Sequence, residues 1–126
     1  MIAFTLDYSS GIPIYRQIID QIRFGIASGQ FKLGEQLPTV RALAVELKVN
    51  LNTVSKAYKE LEIKNILETQ QGTGTFVCST EQVVAEEERG DKLKEICTQF
   101  SSVAFSYGFS LNELVQGLKN VETSKK

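Results

Sequence analysis

The sequence predicts a mainly α chain with a small β-hairpin: an α+β arrangement of three helices and a two-stranded ribbon, followed by two more helices. Three observations carry that prediction. Leu37 to Glu62, LPTVRALAVELKVNLNTVSKAYKELE, contains two short helical periods separated by a tight turn. Two short β-favouring runs flank Gln70-Gln71-Gly72-Thr73-Gly74, whose glycines suit a hairpin tip with positive φ. From Asp91 onward, apolar residues return at i, i+3, i+4 and i+7.

The first helix is announced by Gly11-Ile12-Pro13, because proline is tolerated in a first turn where its missing amide donor would be unpaired anyway. Ile14, Ile18, Ile22 and Ile26 recur every four residues, with Tyr15 and Ile19 beside them, and the helix is expected to end near Gly29. Gly34 to Leu37 reads as a connector. Thr39 looks like the N-cap of a second helix, whose buried stripe is Val40, Leu43, Ala44 and Leu47. Asn50 caps a third helix running to about Lys64. At about 100° per residue, its Asn52, Ser55, Lys56 and Lys59 oppose the apolar set Val54, Ala57, Tyr58 and Leu61. Ile66–Thr69 and Thr75–Cys78 are expected strands. Three helices and a ribbon in this order are the winged helix-turn-helix plan.

After Ser79 the character changes. Glu81 to Arg89 is charged and helix-favouring, with Gly90 as a candidate interruption. Leu93, Ile96, Cys97, Phe100, Val103, Ala104 and Tyr107 then form one apolar stripe, and Gly108 fits a helix stop. Ser110 and Glu113 make a capping-box pair for a last helix carrying Leu111, Leu114, Val115, Leu118 and Val121. Thr123 to Lys126 are expected to fray. Two such helices cannot bury both stripes against each other alone. They either fold back onto the first domain or associate with a second copy. The preferred expectation is a symmetric dimer. The expected division is residues 1–78 as a DNA-binding domain and 79–126 as a two-helix dimerisation region.

The composition narrows function. The chain has 126 residues with 42% hydrophobic and 23% charged content, ordinary for a soluble globular protein. No apolar run approaches the roughly 18 residues of a membrane span. The N-terminus lacks a signal-peptide pattern, so the cytoplasm is expected. Cys78 and Cys97 are expected to be reduced thiols. With no histidine and two isolated cysteines, neither the commonest general base nor a closed zinc site is available. Glu86, Glu87 and Glu88 are consecutive and diverge around a helix, so they read as a solvated face rather than a metal cluster. GTGTF precedes a strand rather than a helix, the wrong context for a phosphate loop. No enzyme, no cofactor and no metal site is therefore expected. Net charge is −1, with +1 over Met1–Phe76 and −2 over Val77–Lys126, so DNA affinity would have to come from a local patch.

From Pro13 to Val77 the chain resembles the N-terminal DNA-binding domain of the GntR superfamily of bacterial regulators, through PIYRQI, LPTVRALA, NTVSKAYKELE and GTGTFV in that order. The short tail with YGFSLNELV resembles the YtrA subfamily. The resemblance implies a sequence-specific transcriptional regulator. It also implies that Arg41 holds DNA phosphate or a base edge, that Asn50, Leu51, Asn52, Thr53 and Ser55 face the groove, and that Gln71, Gly72 and Thr73 enter the minor groove. The sequence departs from the family at several places. Glycine is frequent where Lys48 sits, proline or arginine at Leu51, glycine at Asn65, and basic residues near Gln70, Gln71 and Thr73. This wing is neutral.

Bland readings stand beside the functional ones. Arg41 near a helix start is a cation at the unfavourable dipole end, which favours a DNA contact over a surface ion pair. Lys56 and Lys59 could equally be solvated lysines. Asn50 could be only a cap, and Thr53 could partly pack. Asn52 is the better reader, since a carboxamide pairs bidentately with adenine. Tyr58 reads as core with its hydroxyl at the rim. The Phe100–Tyr107 stripe favours packing over a ligand pocket. The expectation is a dimeric repressor on a pseudo-palindromic operator, with an unidentified small-molecule effector left open. The expected DNA contacts are Thr39, Arg41, Asn50, Leu51, Asn52, Thr53, Ser55, Lys56, Lys59, Gln71, Gly72 and Thr73. The expected dimer interface is Leu93, Ile96, Phe100, Val103, Tyr107, Leu111, Leu114, Val115 and Leu118. The alternative is a winged-helix protein-interaction module that does not read DNA specifically.

Overall fold

The computed structural model describes residues 4–81 and 83–124. The chain divides into two compact units, Met1–Ala85 and Glu86–Lys126. The first unit contains α1 (Ile14–Ala27), β1 (Gln36–Leu37), α2 (Val40–Leu47), α3 (Leu51–Ile63), β2 (Leu67–Gln70) and β3 (Gly74–Val77). The second contains α4 (Glu86–Ser106) and α5 (Leu111–Ser124).

Apolar periodicity builds the core of the first unit. Ile18, Ile19 and Ile22 of α1 meet Leu43 of α2 and Val54, Ala57 and Leu61 of α3, all fully buried. Burial of each such side chain contributes about 1.5–3 kcal/mol. Leu67 and Val77 close the core from the sheet side. Gln17 is buried too. Its carboxamide oxygen accepts from Asp7 N–H at 2.8 Å, and its nitrogen donates to the Asp7 and Ile12 carbonyls at 2.9 Å. This pins the segment preceding α1. The unit continues past the wing, for Val83 is buried and its carbonyl accepts from Arg23 at 3.2 Å.

The sheet differs from the expected two-stranded ribbon. Gln36 and Leu37, read as connector, form an edge strand antiparallel to β3, giving the order β1-β3-β2. A two-residue strand has no alternation to detect, and it forms because β3 offers an open ladder edge. The hairpin pairs Leu67 with Val77 and Gln70 with Gly74.

Helix stops share one device. After α1, α2, α3 and α4 a residue takes left-handed backbone: Gly29, Lys48, Asn65 and Gly108. In each case the next amide donates back across the turn, from Gln30 to Gly25, Val49 to Ala44, Ile66 to Leu61 and Phe109 to Ala104. These are Schellman closures. Lys48 adopts φ 57 and ψ 44, a conformation that costs a non-glycine side chain about 1–2 kcal/mol. Lys48→Gly relieves that strain but gives the unfolded chain more freedom. The net expectation is a gain of about 0.5–1 kcal/mol in urea unfolding. An unchanged or lower midpoint would show that the lysine sits there without strain.

In the second unit, α4 runs unbroken through Gly90, so the candidate interruption does not occur. One interior glycine costs a helix about 1 kcal/mol relative to alanine, which a long helix tolerates. The capping box at α5 is complete: Glu113 N–H donates to Ser110 Oγ and Ser110 N–H to Glu113 Oε1, both at 3.1 Å. Thr123 and Ser124, expected to fray, are helical. Lys125 and Lys126 lie outside the described residues. No described helix is long and apolar enough to cross a membrane.

Candidate nucleic-acid interface

Two local caps set the geometry. Thr39 Oγ1 accepts from Ala42 N–H at 3.0 Å and starts α2. Asn50 Oδ1 accepts from Asn52 N–H at 2.8 Å and starts α3. Each cap satisfies a backbone donor that the helix itself leaves free. Between them lies the tight turn at Lys48 and Val49. On its buried side α3 is fixed by Tyr58, whose hydroxyl donates to the Pro38 carbonyl at 2.7 Å. That bond ties the middle of α3 to the entry of α2. Burial raises the phenol's pKa far above its ordinary value.

The outward side of α3 is polar. Leu51 is 40% exposed, Asn52, Ser55, Lys56 and Lys59 are exposed, and Thr53 is half-buried. Among the described residues, no hydrogen bond within the chain engages the side chain of Asn52 or Ser55, and no ion pair engages Arg41, Lys48 or Lys59. Arg41 is exposed in the first turn of α2, where no acidic residue accompanies it. Its charge is therefore available to an outside anion.

Lys56 is placed differently from its neighbours. Its ammonium lies 3.9 Å from the centroid of the Tyr15 ring on α1, within cation–π range. Arg16 lies 5.6 Å from the same centroid and 3.6 Å from Glu60 Oε2. Sequence reading did not find Tyr15 as a partner of the recognition helix. The available signal was its position in PIYRQI, beside rather than within the isoleucine stripe.

The wing tip, Gln71, Gly72 and Thr73, is fully exposed. Thr73 N–H donates to the Gln70 carbonyl at 2.9 Å across a turn in which Gly72 has φ 80. Gln36 braces this turn from the edge strand, donating from Nε2 to the Thr73 carbonyl at 3.1 Å. A Cβ on Gly74 would collide with that carboxamide, and Gly74 has φ 143. Gly74 is thus favoured by its backbone conformation, and a side chain there would displace the Gln36 carboxamide from the wing. Gln36 is the second residue that sequence reading missed, because the strand it sits on was not legible.

The second unit presents a broad apolar surface. Leu93, Ile96, Phe100, Val103, Tyr107, Leu111, Val115 and Leu118 are between 38% and 78% exposed, while Leu114 is half-buried. Phe105 and Phe109, outside the expected stripe, are exposed as well. No residue of α4 is buried. Cys78 and Cys97 are free and exposed, and no cluster of potential metal ligands occurs among the described residues.

Comparison with known proteins is consistent with this arrangement. The family described as bacterial regulatory proteins, gntR family, matches residues 14–77. The HTH-type transcriptional repressor YtrA of Bacillus subtilis (strain 168) is 38% identical over 121 residues, covering 96% of this chain and 93% of the relative. The structure of YtrA from Sulfolobus acidocaldarius, a GntR-family transcription factor, superposes with a TM-score of 0.55 at 34% identity, covering 95% of this chain and 97% of that one. The DNA-binding domain of AraR in complex with operator ORE1 gives a TM-score of 0.51 at 28% identity over 62% of this chain and 95% of that one.

Proposed function

Because the chain belongs to the GntR family of bacterial regulatory proteins, we propose that this sequence-specific DNA-binding transcriptional regulator acts as a homodimeric repressor on a pseudo-palindromic operator. In this reading α3 enters the major groove, α2 crosses the phosphate backbone, and the wing lies in the flanking minor groove. Thr39, Arg41, Lys59 and the Asn50 cap position the protein on phosphates, while Leu51, Asn52, Thr53 and Ser55 face base edges. Lys56 reaches phosphate from its perch on Tyr15. Gln71, Gly72 and Thr73 brace the wing without a cation, so affinity rests on the α2–α3 surface. The carrying observation is the outward face of α3, capped, anchored on its other side, with the Asn52 and Ser55 side chains making no hydrogen bond among the described residues.

The exposed stripes of α4 and α5 support the dimer, since a monomer rarely leaves so much contiguous apolar surface in water. A two-fold dimer presents two recognition helices to two half-sites, which is what makes the operator pseudo-palindromic. The reading assigns the chain no reaction and no cofactor, and places it in the cytoplasm. Any small-molecule effector would act at the dimer seam.

The test is fluorescence anisotropy of the full chain on fragments from its own promoter. Saturable, salt-dependent binding with two protomers per site is expected. Arg41→Ala should weaken binding about tenfold and reduce the salt slope by about 0.9. Failure to bind any fragment at low salt would favour the alternative, a winged-helix protein-interaction module without specific DNA reading.

A further inference from the structure

Base readout needs matching chemistry. Guanine is read in the major groove chiefly by arginine or lysine on O6 and N7, adenine by asparagine or glutamine on N6 and N7, and thymine by an apolar contact to its methyl group. The residues that reach base edges are those near the N-terminus of the recognition helix. In α3 that stretch holds Leu51, Asn52, Thr53, Ser55 and Lys56, with no arginine anywhere in the helix. Lys56 is the only cation among them, and it is drawn sideways onto the Tyr15 ring at 3.9 Å. Lys59 lies a turn further along, and Arg41 projects from α2, the helix that crosses the backbone. The first turn therefore offers a carboxamide that makes no hydrogen bond among the described residues and a part-exposed leucine, and no guanine-reading cation.

We propose that the half-site core facing the first turn of α3 is an A·T pair read on both strands' chemistry: adenine by the Asn52 carboxamide and thymine by the Leu51 side chain, with no guanine contact from the recognition helix. The inference rests on the reading of α3 as the groove helix and deepens it by naming the bases. Asn52 lies near the middle of the outward face, opposite Val54, Ala57 and Leu61, so its amide is aimed into the groove floor. Leu51 sits at the edge of that face, 40% exposed, where a thymine methyl would cover it. Tyr15 acts as a positioning residue: it holds Lys56 toward the sugar-phosphate wall and away from the base edges.

The test begins with in vitro selection of random duplexes by the full chain. The enriched half-site is expected to carry adenine and thymine at the core. Atomic substitutions in the selected site then assign the contacts. Replacing the core adenine by 7-deazaadenine removes N7 and should weaken the parent protein about tenfold, with Asn52→Ala losing most of that sensitivity. Replacing the core thymine by deoxyuridine removes one methyl group and should weaken the parent about threefold to fivefold, with Leu51→Ala nearly insensitive. Lys56→Ala should weaken all sequences evenly and lower the salt slope by about one unit. A core guanine whose preference vanishes in Lys56→Ala or Arg41→Ala would overturn the inference while leaving sequence-specific DNA binding intact. Retention of DNA without enrichment of any motif would overturn specific reading itself.

Discussion

A Phe100→Glu variant is expected to behave as a monomer in light scattering and to bind operator DNA about a hundredfold more weakly than the parent chain. Phe100 lies on the apolar stripe of α4 and is 56% exposed in the single chain. In a monomer, a glutamate there would face water and cost little. In a dimer it would place a carboxylate in an apolar seam, where an unpaired charge costs several kcal/mol (on the order of 3–5). The substitution thus separates assembly from folding, because thermal unfolding of the first unit should not change. Loss of the second half-site contact converts a bivalent grip into a single one, which is the source of the expected affinity loss. Unchanged mass at micromolar concentration would remove this stripe from the interface. A monomer that still binds operator with parental affinity would show that two-fold symmetry is not used on DNA.

The parts of this fold that were legible in the sequence are those fixed by local chemistry. Thr39 and Asn50 announce α2 and α3 because each cap bonds an amide two or three residues away. The capping box of Ser110 and Glu113 is legible for the same reason. The isoleucines of α1 and the Val54, Ala57 and Leu61 set of α3 are visible through period alone, and they form the core. What the sequence hid depends on residues brought together from a distance. Gln36 and Leu37 become a strand only because β3 lies alongside. Gln36 supports the wing tip through a bond to Thr73 that no local pattern encodes. Lys56 looked like any solvated lysine, and its direction is set by an aromatic ring on another helix. Gly90 resembles a break by local propensity alone, but the length of helix on either side carries it.

Tyr58→Ala is expected to cost about 3–5 kcal/mol of folding stability, enough to leave a small domain close to its midpoint at body temperature. Tyr58 is 2% exposed, so the deletion opens a large cavity beneath α3. Tyr58→Phe keeps the ring and isolates the hydroxyl. It should cost about 1–2 kcal/mol, because the Pro38 carbonyl loses its donor. The functional consequence is more specific than lost stability. The hydroxyl ties α3 to the carbonyl that immediately precedes the Thr39 cap, so it helps set the angle between α2 and α3. Tyr58→Phe should therefore weaken operator binding several-fold at temperatures where the variant remains fully folded. The buried phenol also leaves a pH signature. Burial raises its folded-state pKa, so the unfolded chain gives up the proton first as pH rises. Its contribution to stability is intact below about pH 10 and is lost progressively above it. Urea unfolding across pH 8 to roughly 11.5 should show that decline in the parent chain and a shallower one in Tyr58→Phe. If the two slopes coincide and operator affinity is unchanged, the bond to Pro38 neither stabilises the domain nor orients its reading helix, and the rigid two-helix geometry must come from the isoleucine and leucine core alone.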